Sequence, residues 1–98
     1  MARRTNRSSR AAGRREVVLL SRAALLVMSG ASERELEVWE REELIAPVEQ
    51  APLDSGGEPL YDRETLRRIR VIRTLADELE VNLPGIGVIL NLLDQFGG

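Results

Sequence analysis

The sequence has no cysteine and no histidine. Without cysteine there is no disulfide, no thiolate nucleophile and no cysteine zinc site. Without histidine the commonest general base and the commonest transition-metal ligand are gone. These absences argue against an enzyme before any motif is read, and no cofactor or metal is expected. Lysine is missing as well: all 14 basic residues are arginine, a bias for which there is no physical account. No apolar run approaches the ~18 residues of a membrane span. What is present is 43% hydrophobic and 31% charged residues over 98 positions, the balance of a folded rather than a disordered chain. A chain of this length hides about 60–65% of its unfolded surface, enough for one core.

The formal net charge of −2 conceals a division. Residues 1–22 carry seven arginines and one acid, Glu16, whereas residues 23–98 carry seven arginines and fifteen acids. A basic segment is joined to an acidic body. Residues 1–15 are polar, interrupted by Ser8, Ser9 and Gly13, and show no apolar periodicity. They read as a flexible tail ahead of a domain over 16–98. The tail's lack of acids also suits a transit peptide, but it offers no apolar side and no signal-peptide core follows it. A solubilising tail and a contact with nucleic acid or another acidic partner are both open.

Four helices and a hairpin are expected beyond it. Val17–Leu20 suits a short β segment, and Ser21 suits the N-cap of a helix over Arg22–Ser29 that Gly30 ends. Ser32 with Glu35 has the capping-box spacing. Leu36 and Trp39 mark the inner side of that second helix. The three-residue turn Gly30–Ser32 between two helices is the layout of a helix-turn-helix. Pro47 ends the pair. Residues 48–60, punctuated by Pro52, Gly56, Gly57 and Pro59, form the main loop; Val48 and Leu60 suit the two ends of a hairpin wing. Asp62 caps a long helix from Arg63 to about Glu80, with Leu66, Ile69, Ile72, Leu75, Ala76 and Leu79 as its apolar stripe. Asn82 caps a last helix to about Phe96. Its core side is Ile86, Ile89, Leu90 and Leu93; Val88, Leu92 and Phe96 form a second stripe about 100° away.

The second helix of a helix-turn-helix ordinarily enters the major groove. Here it spans residues 32–43 and contains six glutamates and two arginines. Such charge is repelled by phosphates. Glutamate can accept a hydrogen bond from cytosine, but that role needs one acid flanked by arginines. Three readings stand: a solvated acidic face, a docking face for a basic protein, and base reading. Trp39 reads as a core anchor, and Tyr61 packs beside the wing. Arg63, Arg67, Arg70 and Arg73 can touch phosphates or pair with acids of their own helix. No catalytic constellation emerges. The paired carboxylates lie on solvated helix faces, and the Gly85–Gly87 repeat lacks the preceding strand of a phosphate loop.

The run SG-ASEREL…W…ELIAP…LYD…L…RIRVIRTLADELEVNLPGIGVILNLL resembles the MerR-like winged helix-turn-helix group. Residues 61–95 are most similar to the CbpM-type chaperone modulators: an aromatic-Asp start, an arginine-leucine helix, a P-G-I helix start and an L-L-D ending. The resemblance covers about residues 17–96. Heat-shock repressors of the MerR group share the V-N-L-x-G-I part of it, and Gly30, Ser32, Leu36, Leu44 and Pro47 suit any MerR-like domain. It implies a cytoplasmic, non-enzymatic adaptor that binds the J-domain of a DnaJ- or CbpA-like co-chaperone and so regulates its work with a DnaK-type chaperone. Such J-domains present a basic helix face, which an acidic surface complements. The expected contacts are Glu33, Glu37, Glu40 and Arg41, exposed on the second helix, with Val88, Leu92 and Phe96 as a stripe for a second copy or the partner. The alternative is a small MerR-family transcription regulator that reaches DNA through the wing, Arg14 and Arg15 of the tail, and Arg63, Arg67 and Arg70. The basic tail lies outside the family pattern. The long dimerising helix of typical MerR regulators is expected to be missing, since the sequence stops at Gly98.

Overall fold

The computed structural model describes residues 18–97. The expected tail, with Arg14 and Arg15, lies outside them, as does Val17. Chain order runs β1 (Leu20–Ser21), α1 (Arg22–Ser29), α2 (Glu33–Arg41), β2 (Glu49–Gln50), β3 (Pro59–Tyr61), α3 (Arg63–Arg73) and α4 (Leu83–Gly97). This is the expected mainly helical, four-helix winged helix-turn-helix.

The local chemistry sets the boundaries. The Ser21 hydroxyl accepts from the Ala24 amide and opens α1. Gly30 closes it at φ 74°, and its amide donates to the Leu26 carbonyl. Glycine suits this left-handed position best, and a Cβ added there would lie 3.2 Å from Nη1 of Arg73. At Ser32 the full capping box forms: its hydroxyl accepts from Glu35 N–H, and the Glu35 carboxylate accepts from Ser32 N–H. At the far end of α2, Glu43 N–H donates to Glu40 and Leu44 N–H to Trp39. That pair is a Schellman closure. It leaves Glu43 at φ 61°, where glycine would be less strained.

The wing forms as the hairpin of β2 and β3, with Glu49 opposite Leu60 and Val48 N–H donating to the Leu60 carbonyl at 2.9 Å. The sheet has a third strand. β1 pairs antiparallel with the other edge of β3, placing Leu20 opposite Tyr61, in the order β1-β3-β2. The strand expected over 17–20 is thus displaced to Leu20–Ser21. Tyr61 ends β3 and is fully buried.

Leu25, Leu36, Trp39, Tyr61, Ile69 and Ile86 meet in one core with Leu44, Ile45, Leu66, Ile72 and Leu90. α1 packs on α3 and on β3. Truncating any fully buried member to alanine removes ~2–5 kcal/mol.

Two helices depart from expectation. The long helix does not remain α-helical to Glu80: Thr74–Glu78 widens into a π turn, with Leu79 N–H donating to the Thr74 carbonyl. The extra residue rotates the following side chains by about 100°. Leu75 and Ala76 stay half-buried, but Leu79 is turned out of the expected stripe and is 63% exposed. In α4 the core contact ends at Leu90. Leu93 was expected on the core side and is 49% exposed, because residues 91–97 run past the end of the core.

Candidate binding face

α2 turns Leu36 and Trp39 inward, so its outer side is fixed as Glu33, Arg34, Glu37 and Arg41, with Val38 half-buried beside them. These five residues line a shallow surface depression. Glu42 and Glu43 follow α2 and are both exposed; Glu43 lines a separate depression with Asp62 and Glu64 at the start of α3. The wing carries exposed Glu49, Asp54 and Glu58 and no basic residue.

One arginine organises the inner edge of this face. Arg22, the first residue of α1, donates through Nε to Glu33 Oε2 at 2.7 Å. Its Nη1 reaches both carboxylate oxygens of Glu40, at 3.0 and 3.1 Å, and the Tyr61 hydroxyl at 2.7 Å. The Tyr61 hydroxyl in turn donates to Glu40 Oε2 at 2.7 Å. Burial alone would lower the pKa of Arg22, but its hydrogen bonds to Glu33 and Glu40 and the nearby negative charge outweigh that and raise it. Tyr61 is pushed up to about 12, first by burial and then by the carboxylate of Glu40, with Arg22 opposing.

This network corrects one expectation and qualifies another. Glu40 is not an exposed contact residue: its side chain is only 25% exposed and is held inward by Arg22 and Tyr61. Glu33 is half-exposed but already paired with Arg22. Glu37 and Arg41 stand free of any ion pair among the described residues, and both are exposed, as expected. Glu35 is committed to its capping box.

The arginines of α3 divide in two. Arg63, Arg67 and Arg70 are exposed, and Arg67 makes only a 4.0 Å contact with Glu64. Arg68 and Arg73 are structural clamps. Arg68 donates to the Leu44 carbonyl at 3.0 Å and to Asp94 at 2.7 Å, tying the end of the helix-turn-helix to α4. Arg73 donates to the Ser29 carbonyl at 3.0 Å and satisfies the C-terminus of α1. Sequence reasoning missed Arg22, Arg68 and Tyr61 as network members. Arg22 reads as the end of the basic stretch 1–22, and nothing in the spacing distinguishes Arg68 from its exposed neighbours. On α4, Val88, Leu92 and Phe96 are exposed at 61%, 47% and 85%, so the second stripe exists as expected. No group of three or more acids among the described residues is arranged to hold a metal, and no described helix is long and apolar enough to cross a membrane.

The net charge of the described chain falls in one stretch. Residues 33–58, from α2 through the wing, hold nine acids and two arginines; the other described residues hold six of each. Residues 22–93 match the model of the MerR HTH family regulatory proteins. The chain belongs to the MerR helix-turn-helix family. No curated protein and no solved structure matches it. Within the MerR fold, α2 is the recognition helix and 48–60 the wing, the two elements a DNA-reading member sets against phosphates. In this member they are the acidic ones.

Proposed function

We propose that this MerR-family domain is a protein-binding adaptor whose α2-and-wing face docks a basic protein surface, that of the J-domain of a DnaJ-like co-chaperone. One observation carries the reading: the whole net negative charge of the described chain lies on residues 33–58, from the helix that would otherwise approach DNA through the wing. A duplex carries one negative charge per ~1.7 Å of axis, so this face meets repulsion there and attraction on a basic protein. The similarity of residues 61–95 to CbpM-type modulators supplies the partner class. Glu37, Arg41, Glu42 and Glu43 are the side chains free to make the contact. Each exposed pair contributes under ~1 kcal/mol, so affinity comes from the cluster and is screened by salt. Titrating the chain with the J-domain of the co-chaperone from the same organism, at low and at high salt, tests this. Binding that weakens with salt is expected; no binding, or binding indifferent to salt, overturns the proposal.

A second reading rests on a different observation. Three of the six glutamates of residues 32–43 are withdrawn into the Arg22 network and the capping box, which leaves Glu37 flanked by Arg34 and Arg41. That is the arrangement in which a glutamate can read cytosine. A mobility shift on the DNA upstream of the gene separates the two. We expect any shift to vanish when the six tail arginines Arg3, Arg4, Arg7, Arg10, Arg14 and Arg15 become glutamine. A shift that survives this and is lost in Arg34→Ala and Arg41→Ala assigns base reading to α2 instead.

A further inference from the structure

We propose that the groove between α3 and α4, with the arginine row on its α3 side, docks an acidic amphipathic helix of a partner protein. This surface lies on other elements than α2 and the wing and takes a ligand of the opposite charge. It therefore stands or falls apart from the reading above.

Two independent observations carry it. The first is an unfilled apolar groove of about 550 Å³, floored by Val71, Leu90 and Leu93 and flanked by Glu64, Arg67 and Arg68. It opens where α4 runs past the end of the core, which leaves Leu93 49% exposed. Arg68 adds no free charge to it, because its guanidinium is engaged by the Leu44 carbonyl at 3.0 Å and by Asp94 at 2.7 Å. The second observation is the row itself. Arg63, Arg67 and Arg70 are all exposed, and at ~100° per residue they fall within about 60° of one another on α3. Arg67 has only Glu64 at 4.0 Å. Arg63 and Arg70 have no ion pair among the described residues. Like charges three and four residues apart oppose a helix, so the row carries a repulsion that a bound line of carboxylates relieves.

Together the two features specify the ligand. From Arg63 to Arg70 the row spans about 10 Å, two helical turns. That length matches carboxylates at i, i+4 and i+7 of a second helix. The groove beside the row takes the adjoining apolar side of the same helix, a helix-in-groove contact. A phosphate backbone can use the arginines but has no use for a floor of Val71, Leu90 and Leu93. The pairing of charge with apolar surface therefore favours a protein segment over nucleic acid.

The probe is a fluorescein-labelled helical peptide of about four turns, with glutamates on one flank and leucines on the adjoining one. Its anisotropy is followed against the full chain. Binding should weaken about tenfold when Arg63, Arg67 and Arg70 all become glutamine, and about tenfold in Leu93→Ser. The triple variant should melt no lower than the native chain, since it loses only like-charge neighbours and one long contact. Replacing Arg34 and Arg41 of α2 by glutamine should leave binding unchanged. Equal binding of a peptide with the same composition in scrambled order overturns the proposal. So does binding that survives the α3 changes and is lost when the six arginines of 3–15 become glutamine. Binding that is indifferent to Leu93→Ser and is competed equally well by a thymidine oligonucleotide also overturns it, and assigns the row to phosphate.

Discussion

Arg22 illustrates why residue identity alone misplaces a functional side chain. By sequence it ends a basic run; in the fold it is the cation that holds Glu33, Glu40 and the Tyr61 hydroxyl together. A glutamate i+7 from another lies two helical turns further along the same side of α2, so Glu33 and Glu40 face a common neighbour. The long-range neighbour itself, supplied by β1 and α1, has no local signal. Tyr61 reports on the network directly. The chain has one tyrosine and no lysine, cysteine or histidine, so no other side chain titrates near pH 10. Its folded pKa is raised from 10 to about 12. Its contribution to stability is therefore complete below pH 10 and is lost as pH rises from 10 through 12. Tyrosinate absorbance should show a midpoint near 12 in the native chain and near 10 in denaturant. Stability should fall across that window in the native sequence but not in Tyr61→Phe, which gives up about 1 kcal/mol at neutral pH through the lost hydrogen bond. A native midpoint near 10 contradicts the network.

Elements were legible where their ends are written in capping chemistry. Ser21, Gly30, Ser32 with Glu35, and Asp62 all act at the predicted positions, because a cap is a contact over three or four residues. The helix-turn-helix and wing follow from them. The π turn at Thr74–Glu78 and the pairing of the short first strand with β3 were not legible. The first depends on how α3 and α4 are joined in space, and the second on a pairing between residues 20 and 61. The face was legible as a charge pattern, but which glutamates remain free was not. The two glycines at the start of α4 give a prediction at this scale. Replacing a helical glycine by alanine ordinarily stabilises by ~0.5–1 kcal/mol. At Gly87 an added Cβ meets Leu44 Cδ2 at an ordinary 3.6 Å, so Gly87→Ala should raise the melting temperature. At Gly85 it would lie 2.8 Å from Val81 Cγ1 and 3.1 Å from Asn82 Oδ1. That oxygen accepts from Gly85 N–H to cap the helix. Gly85→Ala should therefore lower the melting temperature. A matching rise at both positions would show that the α4 entry is looser than described.

At the scale of the molecule, the MerR fold and the distribution of charge pull in different directions. The fold supplies a recognition helix and a wing. The charge makes both unwelcoming to phosphate, while the remaining described surface is balanced in sign. Outside α2, the exposed arginines of the fold body, Arg63, Arg67 and Arg70, all lie on α3. A docking face for a basic protein, as proposed above, reconciles the two. The central claim is tested most directly by following backbone amide shifts of the chain during titration with the J-domain. The perturbed residues should cluster at Arg34, Glu37, Arg41, Glu42 and Glu43 and along the wing from Glu49 to Glu58. Perturbations confined to Val88, Leu92 and Phe96 on α4, with α2 and the wing unmoved, would contradict it.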